Sequence, residues 1–228
     1  MFSGNIEFEP SQINGDSADL VSADPFSTNL RDAAPRDAVR KPSEVVPSLD
    51  LQISEHQRLT LVSLSDSPEL FALVDANRAY LQKWLPWPST TQTVDDTRHF
   101  IRLSLERAQT NEGFVAVIRY HDNIVGVISL YDFRWADRSS SIGYWLGQSH
   151  QGKGIMTQAC HAFVTYSFNT LNLNRLSILC ATQNHRSRAI PKRLGFQHEG
   201  TLREAQWIDT HYVDHEIYAM LRRDWPTQ

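Results

Sequence analysis

The six residues Gln151-Gly152-Lys153-Gly154-Ile155-Met156 lie between an apolar run, 142–146, and a strongly amphipathic stretch. The run predicts a strand, and the helical spacing of apolar residues in the stretch predicts a helix. The first N–H groups of a helix have no intrahelical partner, and the helix dipole places about half a positive charge there. Gly152 and Gly154 let the backbone approach an anion closely. Residues 151–156 therefore predict a site for a phosphate-bearing cofactor.

Charge and composition divide the chain near residue 50. Residues 1–50 carry nine acids against four bases and are rich in Ser, Pro, Asp and Ala, whereas residues 51–228 carry 17 acids and 18 bases. A segment with few, scattered hydrophobic residues cannot offset its ordering entropy by burial. We therefore expect residues 1–50 to form a disordered acidic extension and residues 51–228 to form one domain.

The sequence argues against secretion, membrane insertion and direct nucleic-acid binding. The N-terminal segment lacks the basic start and apolar run of a secretory signal, and its acids do not fit a mitochondrial transit peptide. No run of about 18 apolar residues is present, and the near-neutral domain offers no broad attraction for nucleic acid. Cys160 and Cys180 fall in apolar stretches. We expect buried free thiols and a cytoplasmic protein.

The predicted elements after residue 50 follow the order β-α-α-β-β-β-α-β-α-β-β. Strands are predicted at 58–63, 114–120, 124–133, 139–147, 175–181, 201–208 and 215–221, and helices at 68–77, 94–109, 154–169 and 187–194. Only the strand–helix–strand unit spanning 142–181 requires a parallel pair, since hairpins are antiparallel. The predicted fold class is α/β, with a mixed sheet and helices on both faces.

Four short segments, in order and plausibly spaced, share a pattern with a known family. They are Asn77-Arg78-Ala79-Tyr80-Leu81 with Trp84-Leu85-Pro86-Trp87, Ile142-Gly143-Tyr144-Trp145-Leu146, Gln151-x-x-Gly154, and Asn184-x-x-Ser187-x-x-Ile190-x-x-x-Leu194-Gly195-Phe196. Residues from about 55 to 222 thereby resemble the GNAT superfamily of acyl-CoA-dependent N-acyltransferases, in its Rim-type branch of ribosomal-protein N-terminal acetyltransferases. The resemblance implies a mostly antiparallel sheet with a splayed parallel pair. Met156 departs from the pattern, because a small residue is usual there.

The resemblance implies acetyl-CoA as co-substrate. His211 and His215 lie four residues apart but lack the helical His-Glu-x-x-His context and the cysteine partners of a zinc site, so we expect no metal. The resemblance places the pyrophosphate on the backbone amides of 152–156, as the physics of the helix terminus also predicts. It lays the pantetheine arm between the two splayed strands and makes the Leu146 N–H the oxyanion donor. The implied cofactor-binding residues are Trp145, Leu146, Gln151, Gly152, Lys153, Gly154, Ile155, Met156, Asn184, Ser187 and Lys192.

The resemblance also implies catalytic roles. Ser187 matches a position where some relatives have a hydroxyl near the thioester sulfur, and it could protonate the departing thiolate. Capping of its own helix is the alternative role. The position aligned with a catalytic glutamate holds Gln206, which cannot act as a base. Glu204, two residues earlier and on the same face of an ideal strand, is the tentative base. Other candidates near the turn are Asp209, His211 and Asp214. A peptide α-amine has a pKa of about 7.7–8.0, so part of it is already neutral at pH 7. Catalysis without a dedicated base is therefore an alternative.

The acceptor site is implied to contain Trp84, Trp87 and Gln206, and anchoring of the Pro-rich loop is the alternative role for the two tryptophans. The favoured function is acetyl transfer to a primary amine in a ternary complex, above all a protein N-terminal α-amine such as that of a ribosomal protein. A small amine as acceptor and a non-catalytic acyl-CoA-binding sensor are the alternatives. The sensor remains an alternative because Gln206 cannot act as a base. Asn184 and Ser187 argue against it, because a sensor needs the phosphate loop but no proton donor. We expect a monomer or a homodimer.

Overall fold

The computed structural model describes residues 49–226. Most of the extension expected at residues 1–50 lies outside this range. Its last two residues do not belong to a disordered segment, because Leu49 is buried in the core and Asp50 begins a strand. The sheet domain therefore starts before residue 51.

Over the described range, eight strands form one sheet in the spatial order β1-β2-β3-β4-β5-β6-β8-β7. The strands are β1 (Asp50–Ser54), β2 (Gln57–Leu61), β3 (Phe114–Tyr120), β4 (Asn123–Arg134), β5 (Ser139–Leu146), β6 (Arg175–Ala181), β7 (Gln197–Ile208) and β8 (His211–Leu221). The α-helices are α1 (Ser67–Ala76), α2 (Arg78–Leu81), α3 (Val94–Gln109), α4 (Ile155–Asn169) and α5 (His185–Arg193). None of these helices is long and apolar enough to span a bilayer.

The sheet is antiparallel except at β5 and β6. These two strands pair in parallel from Ser139–Arg175 to Ile142–Ile178 and no further. Beyond that point β5 continues to Leu146 and stays paired with β4, while β6 continues paired with β8. The mixed sheet with one splayed parallel pair is thereby confirmed.

Alternating residues of β3 show that helices cover both faces of the sheet. Val117 packs in a cluster with Leu70 of α1 and Ile101 of α3. Its neighbour Ile118 belongs to a second cluster, which contains Phe163 of α4. Successive side chains of a strand point to opposite faces, so α1 and α3 cover one face and α4 covers the other. Helices on both faces are confirmed.

Several elements differ from the sequence-based expectation, and β8 for example begins at His211 rather than at residue 215. β1 was not expected, because its alternation is short and every second residue is polar and exposed. The helix expected from Ser187 begins two residues earlier, at His185, because the Asn184 side chain is its N-cap and accepts the Ser187 N–H at 3.1 Å. β7 begins at Gln197 rather than Thr201. Its register with β8 shifts between His198 and Gly200, so the start of the strand lacks the regular alternation that predicts a strand.

Candidate active site

A cleft of about 1250 Å³ opens where β5 and β6 diverge. Its floor is formed by the ends of the two strands, Gly143–Leu146 and Leu179–Ala181. The N-termini of α4 and α5 close one end, and α2 with the following loop borders another side. The cleft lies where the parallel pairing stops, because two strands that no longer share hydrogen bonds leave room for an extended ligand between their edges.

The loop before α4 forms a cradle of backbone amides. Gly152 and Gly154 have φ angles of +77° and +81°, and a Cβ added at either would meet no atom within 4 Å. The first hydrogen bond of α4 runs from Gln158 N–H to Gly154 O at 3.0 Å, so the amides of the first turn have no acceptor inside the helix. Open space, left-handed glycines and unused donors suit an anionic group such as a diphosphate.

The side chain of Met156 does not obstruct this cradle, since it is buried in the main hydrophobic cluster. The departure from the family pattern at this position is therefore accommodated in the core. The side chain of Ile155 is buried in the same cluster. Both residues present backbone amides to the cleft while their side chains stabilise α4.

Gln151 connects three elements at the edge of the cradle. Its Nε2 donates to the Tyr80 hydroxyl at 2.7 Å, and its Oε1 accepts from the Arg186 guanidinium at 2.5 Å. Tyr80 lies on α2 and Arg186 on α5, and both line the cleft. Gln151 therefore connects both α2 and α5 to the loop before α4.

The backbone of Leu146 faces the gap. Gly147 N–H donates to Val125 O of the β4 side at 2.8 Å. N–H groups along a strand alternate between its two edges, so the N–H and C=O of Leu146 point away from β4 towards the gap. Leu146 O accordingly accepts a hydrogen bond from Gln151 Nε2 at 3.4 Å. A ligand in the gap meets a backbone donor at this position.

Ser187, Cys180 and Tyr144 form a polar cluster on the α4–α5 side of the gap. Ser187 Oγ lies 3.2 Å from Cys180 Sγ and 3.4 Å from the Tyr144 hydroxyl, which donates to Ser187 O at 3.0 Å. Burial raises the pKa of Tyr144 well above its usual value and also raises the pKa of Cys180. Both groups therefore stay protonated and uncharged. Because Asn184 caps α5, the Ser187 hydroxyl is not used as the helix cap.

The opposite side of the gap is aromatic. Trp145 lines the cleft and packs with the α1–α3 cluster, so it faces away from Tyr144. The Trp87 ring lies behind it, with ring centroids 5.9 Å apart. Trp84 and Gln206 line the cleft directly, whereas Trp87 contributes through Trp145. These residues come from different elements and meet on one side of the gap.

Besides Trp87, three of the expected site residues do not line the cleft. Lys153 and Lys192 are exposed and do not line it; Arg186 and Arg193 do. Glu204 is also exposed and outside the lining. A break in the β7–β8 register between Leu202 and Gln206 removes the regular alternation on which its placement relied. Glu204 has a φ angle of +50° there.

Sequence reasoning missed several residues that line the cleft. They are Tyr80, Tyr144, Cys180, Arg186 and His215. The period-two alternation of β5 and β6 could have placed Tyr144 and Cys180 on one face. The contribution of His215 depends on the register between β6 and β8, which pairs it with Ala181. No local pattern encodes that register.

The comparisons with known proteins agree with this geometry. A family model for the acetyltransferase (GNAT) domain matches residues 58–197. The putative ribosomal N-acetyltransferase YdaF of Bacillus subtilis is 34% identical over 175 residues, covering 76% of this chain and 96% of that protein. The ribosomal-protein-serine acetyltransferase of Escherichia coli is 32% identical over 171 residues, covering 75% and 96%.

A solved structure shares the fold. RimL, a ribosomal L7/L12 alpha-N-protein acetyltransferase in complex with coenzyme A, superposes with a TM-score of 0.74 at 29% identity. The match covers 75% of this chain and 97% of that one. The amide cradle and the gap between β5 and β6 fit a coenzyme A thioester as co-substrate. The chain belongs to the GNAT family of acetyl-CoA-dependent N-acetyltransferases, and its relatives include the Rim-type ribosomal-protein acetyltransferases.

Proposed function

We propose that this N-acetyltransferase acetylates the N-terminal α-amine of a protein, and that its acceptor is a ribosomal protein. The observation that supports the transfer chemistry most is the gap past the Ile142–Ile178 pair, which ends at the amide cradle before α4. The acceptor class is supported by relatives named for acetylation of ribosomal proteins, one of them for a serine acceptor.

The cofactor end of the cleft is proposed to bind the diphosphate of acetyl-CoA. The amides of residues 152–157 donate to the phosphate oxygens, and the dipole of α4 favours their negative charge. Arg186 and Arg193 supply the positive side chains at this end. Arg193 lies against the first turn of α4, with its guanidinium 3.3 Å from Thr157 Oγ1. Lys153 and Lys192 are not needed for this role.

The gap is proposed to hold the pantetheine arm as an added strand along β5. The backbone N–H and C=O groups of Tyr144 and Leu146 point into the gap, and the side-chain amide of Asn184 can bind the arm from the start of α5. The thioester carbonyl then lies at the Leu146 N–H, where a preorganised donor stabilises the negative charge that develops on oxygen during attack. This placement leaves the carbonyl carbon open to the Trp145 side.

Ser187 is proposed as the proton donor to the leaving group. As the amine forms its C–N bond and the C–S bond breaks, the sulfur gains negative charge, and the Ser187 hydroxyl donates to it. Neighbouring Tyr144 and Cys180 remain protonated, so the sulfur meets no fixed negative charge there. The amine nitrogen, which loses its second proton in the same collapse, returns a proton to Ser187.

The acceptor side is proposed to bind the peptide between Trp84, Trp145 and Gln206, with Trp87 supporting Trp145. An α-amine has a pKa of about 7.7–8.0 and a lysine side chain about 10.4, so at neutral pH roughly one α-amine in ten is neutral but fewer than one lysine in a thousand. Only the neutral amine can attack. The chemistry therefore favours a chain terminus over an internal lysine.

Peptide substrates test this proposal. Wild-type protein is incubated with acetyl-CoA and a synthetic peptide that begins with Ser and contains one internal Lys. We expect thiol release and a product acetylated only at its terminus, by tandem mass spectrometry. The same peptide with a blocked terminus should give no product. Turnover with spermidine but not with the peptide would instead assign a small-amine acceptor.

Thermal unfolding separates binding from turnover. A ligand that binds the folded state alone stabilises it by about 2.7 kcal/mol when present at 100 times its Kd. We expect saturating acetyl-CoA to raise the melting temperature. A clear shift without acetylation of any amine would indicate a binding module, and an unchanged transition would contradict the cofactor site.

A further inference from the structure

His215 occupies a place in the cleft that no catalytic role accounts for. It lies on β8, directly opposite Ala181 of β6 and Leu202 of β7. The imidazole is half-buried and lines the cleft. Within residues 49–226, its ring takes part in no side-chain hydrogen bond or ion pair, unlike His198 on the next strand, which is bonded to Glu216.

The register of the sheet assigns His215 to the acceptor side. Its neighbour Glu216 pairs with Cys180 and contacts Arg188 of α5, so Glu216 faces the α4–α5 side. Successive residues of a strand face opposite ways, and His215 therefore faces the same side as Trp145. Trp145 on β5 and His215 on β8, the strand beyond β6, both line the cleft on the side from which the amine is proposed to approach.

Among residues 49–226, the cleft lining supplies no competing base on that side. The described lining contains no aspartate or glutamate, and the second histidine of the lining, His150, lies just before the phosphate loop at the cofactor end. Glu204 is outside the lining, and Gln206 cannot take a proton. His215 is thus the acceptor-side group of the described lining that can exchange a proton near neutral pH.

The surroundings of His215 favour its neutral form. Burial lowers the pKa of His215, and the negative charge of Asp214 opposes this only in part. On the opposite face of the sheet lie Cys180 of β6 and Glu216 of β8, the latter paired with His198 and Arg188. Other ionisable groups of the packed elements include Arg203 and Glu204 in the exposed bulge of β7, and Tyr80 and Tyr131 across the cleft. A neutral imidazole can accept a proton, and its half-exposed ring can pass that proton to water.

We propose that His215 is the general base that removes a proton from the acceptor ammonium. This assignment rests on the proposed acetylation of a protein α-amine. The ammonium nitrogen gives one proton to the imidazole, and the resulting neutral amine forms the C–N bond with the thioester carbon. The C–S bond breaks with its electron pair on sulfur, which Ser187 protonates, and the nitrogen returns its second proton to Ser187, which restores the hydroxyl. The imidazolium then releases its proton to solvent, so the reaction yields amide, thiol and one proton.

The test compares His215→Gln with wild-type protein, using acetyl-CoA and the Ser-initiated peptide across a range of pH. General-base catalysis typically contributes about 100-fold or more, so we expect kcat/KM of the variant to fall by about that factor near pH 7. The loss should shrink towards about pH 9, above the α-amine pKa of about 7.7–8.0, because the solution then supplies the neutral amine. The acetyl-CoA-induced melting shift should not change. His99→Gln, an exposed histidine on α3, is the matched control.

Three outcomes would overturn the assignment. A loss that is equal at every pH would give His215 a binding role, an unchanged rate would give it none, and a lost melting shift would place it in cofactor binding. If His215→Gln does not fold, His215→Asn is measured in the same way. Absence of peptide acetylation by wild-type protein would refute the proposed function itself, which is a different result from a defect confined to the variants.

Discussion

Ser187 Oγ donates a hydrogen bond to Cys180 Sγ at 3.2 Å across the α5–β6 boundary. The contact orients the hydroxyl at the border of the gap between β5 and β6. The hydroxyl is not needed to cap α5, because the Asn184 side chain does so. Cys180 is buried, and its pKa is raised by that burial, so it accepts this bond as a thiol. Rotation of the hydroxyl away from Cys180 makes the same proton available to the sulfur of a thioester in the gap.

Ser187→Ala is expected to lower turnover more than cofactor affinity. Proton transfer by a positioned group is typically worth about 10²–10⁴ in rate. We expect kcat to fall by at least about tenfold while the acetyl-CoA dissociation constant changes by less than about threefold. Steady-state kinetics and calorimetric titration measure the two quantities. Cys180→Ala keeps the hydroxyl and should retain most activity; equal losses of kcat and affinity in Ser187→Ala would make Ser187 a binding residue only.

Gly154→Glu is expected to abolish cofactor binding. The new carboxylate would stand at the start of α4, where the diphosphate is proposed to bind, and the left-handed backbone costs a non-glycine residue about 1–2 kcal/mol. The melting shift with acetyl-CoA should therefore disappear. Gly200→Glu is the matched control, because Gly200 also has a positive φ and open space around it but lies on β7 outside the cleft lining. A retained shift in Gly154→Glu would refute the amide cradle.

Glu216→Gln is expected to destabilise the fold in a pH-dependent way. Glu216 accepts from His198 and Thr201 and faces Arg188 at 3.4 Å. Burial alone would raise the pKa of Glu216, but the bonds from His198 and Thr201 and the Arg188 charge outweigh it and lower the pKa. A carboxyl with a lowered folded-state pKa stabilises the fold above its usual pKa of about 4.3, and this stabilisation is lost as the pH falls.

Urea unfolding measures this effect. Hydrogen bonds to a charged group are worth about 1.5–3 kcal/mol, so Glu216→Gln should lose an amount of that order at neutral pH and less in acid. Glu199→Gln removes a partly exposed surface pair with Arg175 and should cost less than about 1 kcal/mol. Equal losses for the two variants would mean that the Glu216 network adds no more stability than the surface pair of Glu199 with Arg175.

Two truncations test the domain boundary. Removal of residues 1–48 is expected to leave the melting temperature and the acetyl-CoA shift unchanged. Removal of residues 1–54 also deletes β1 and the buried Leu49, and full burial of one such side chain is worth about 1.5–3 kcal/mol. The longer truncation should therefore melt earlier. Loss of activity in the shorter one would assign residues 1–48 a function in the reaction.

Trp87→Ala is expected to weaken acceptor binding without affecting the cofactor. Trp87 packs on Trp145 with ring centroids 5.9 Å apart, and such aromatic pairs are worth about 0.5–1.5 kcal/mol. The peptide KM should accordingly rise about two- to tenfold, while the acetyl-CoA shift stays the same. Trp207→Ala removes an exposed tryptophan of the β7–β8 hairpin and serves as control. A change in the shift alone would assign Trp87 to the cofactor end.

The sequence by itself determined the elements whose signals are local. The period of α3, with its Thr93–Asp96 capping box, predicts Val94–Gln109, and the structure has the same bounds. The glycine loop before α4 predicts an anion cradle because the glycines with positive φ angles and the unused amides belong to one short stretch of the chain. The requirement for one parallel pair follows from the crossover helix between β5 and β6.

Tertiary structure alone decided which side chains meet. The acceptor side brings together Trp84, Trp145 and His215 from distant parts of the chain. The break in the β7 register interrupts the alternation of side chains, so Glu204 does not line the cleft. Strand register and bulges depend on the pairing partner, and one shifted residue exchanges the two faces of a strand. The local pattern of β7 therefore favoured Glu204, whereas the pairing of β8 with β6 brought His215 to the cleft.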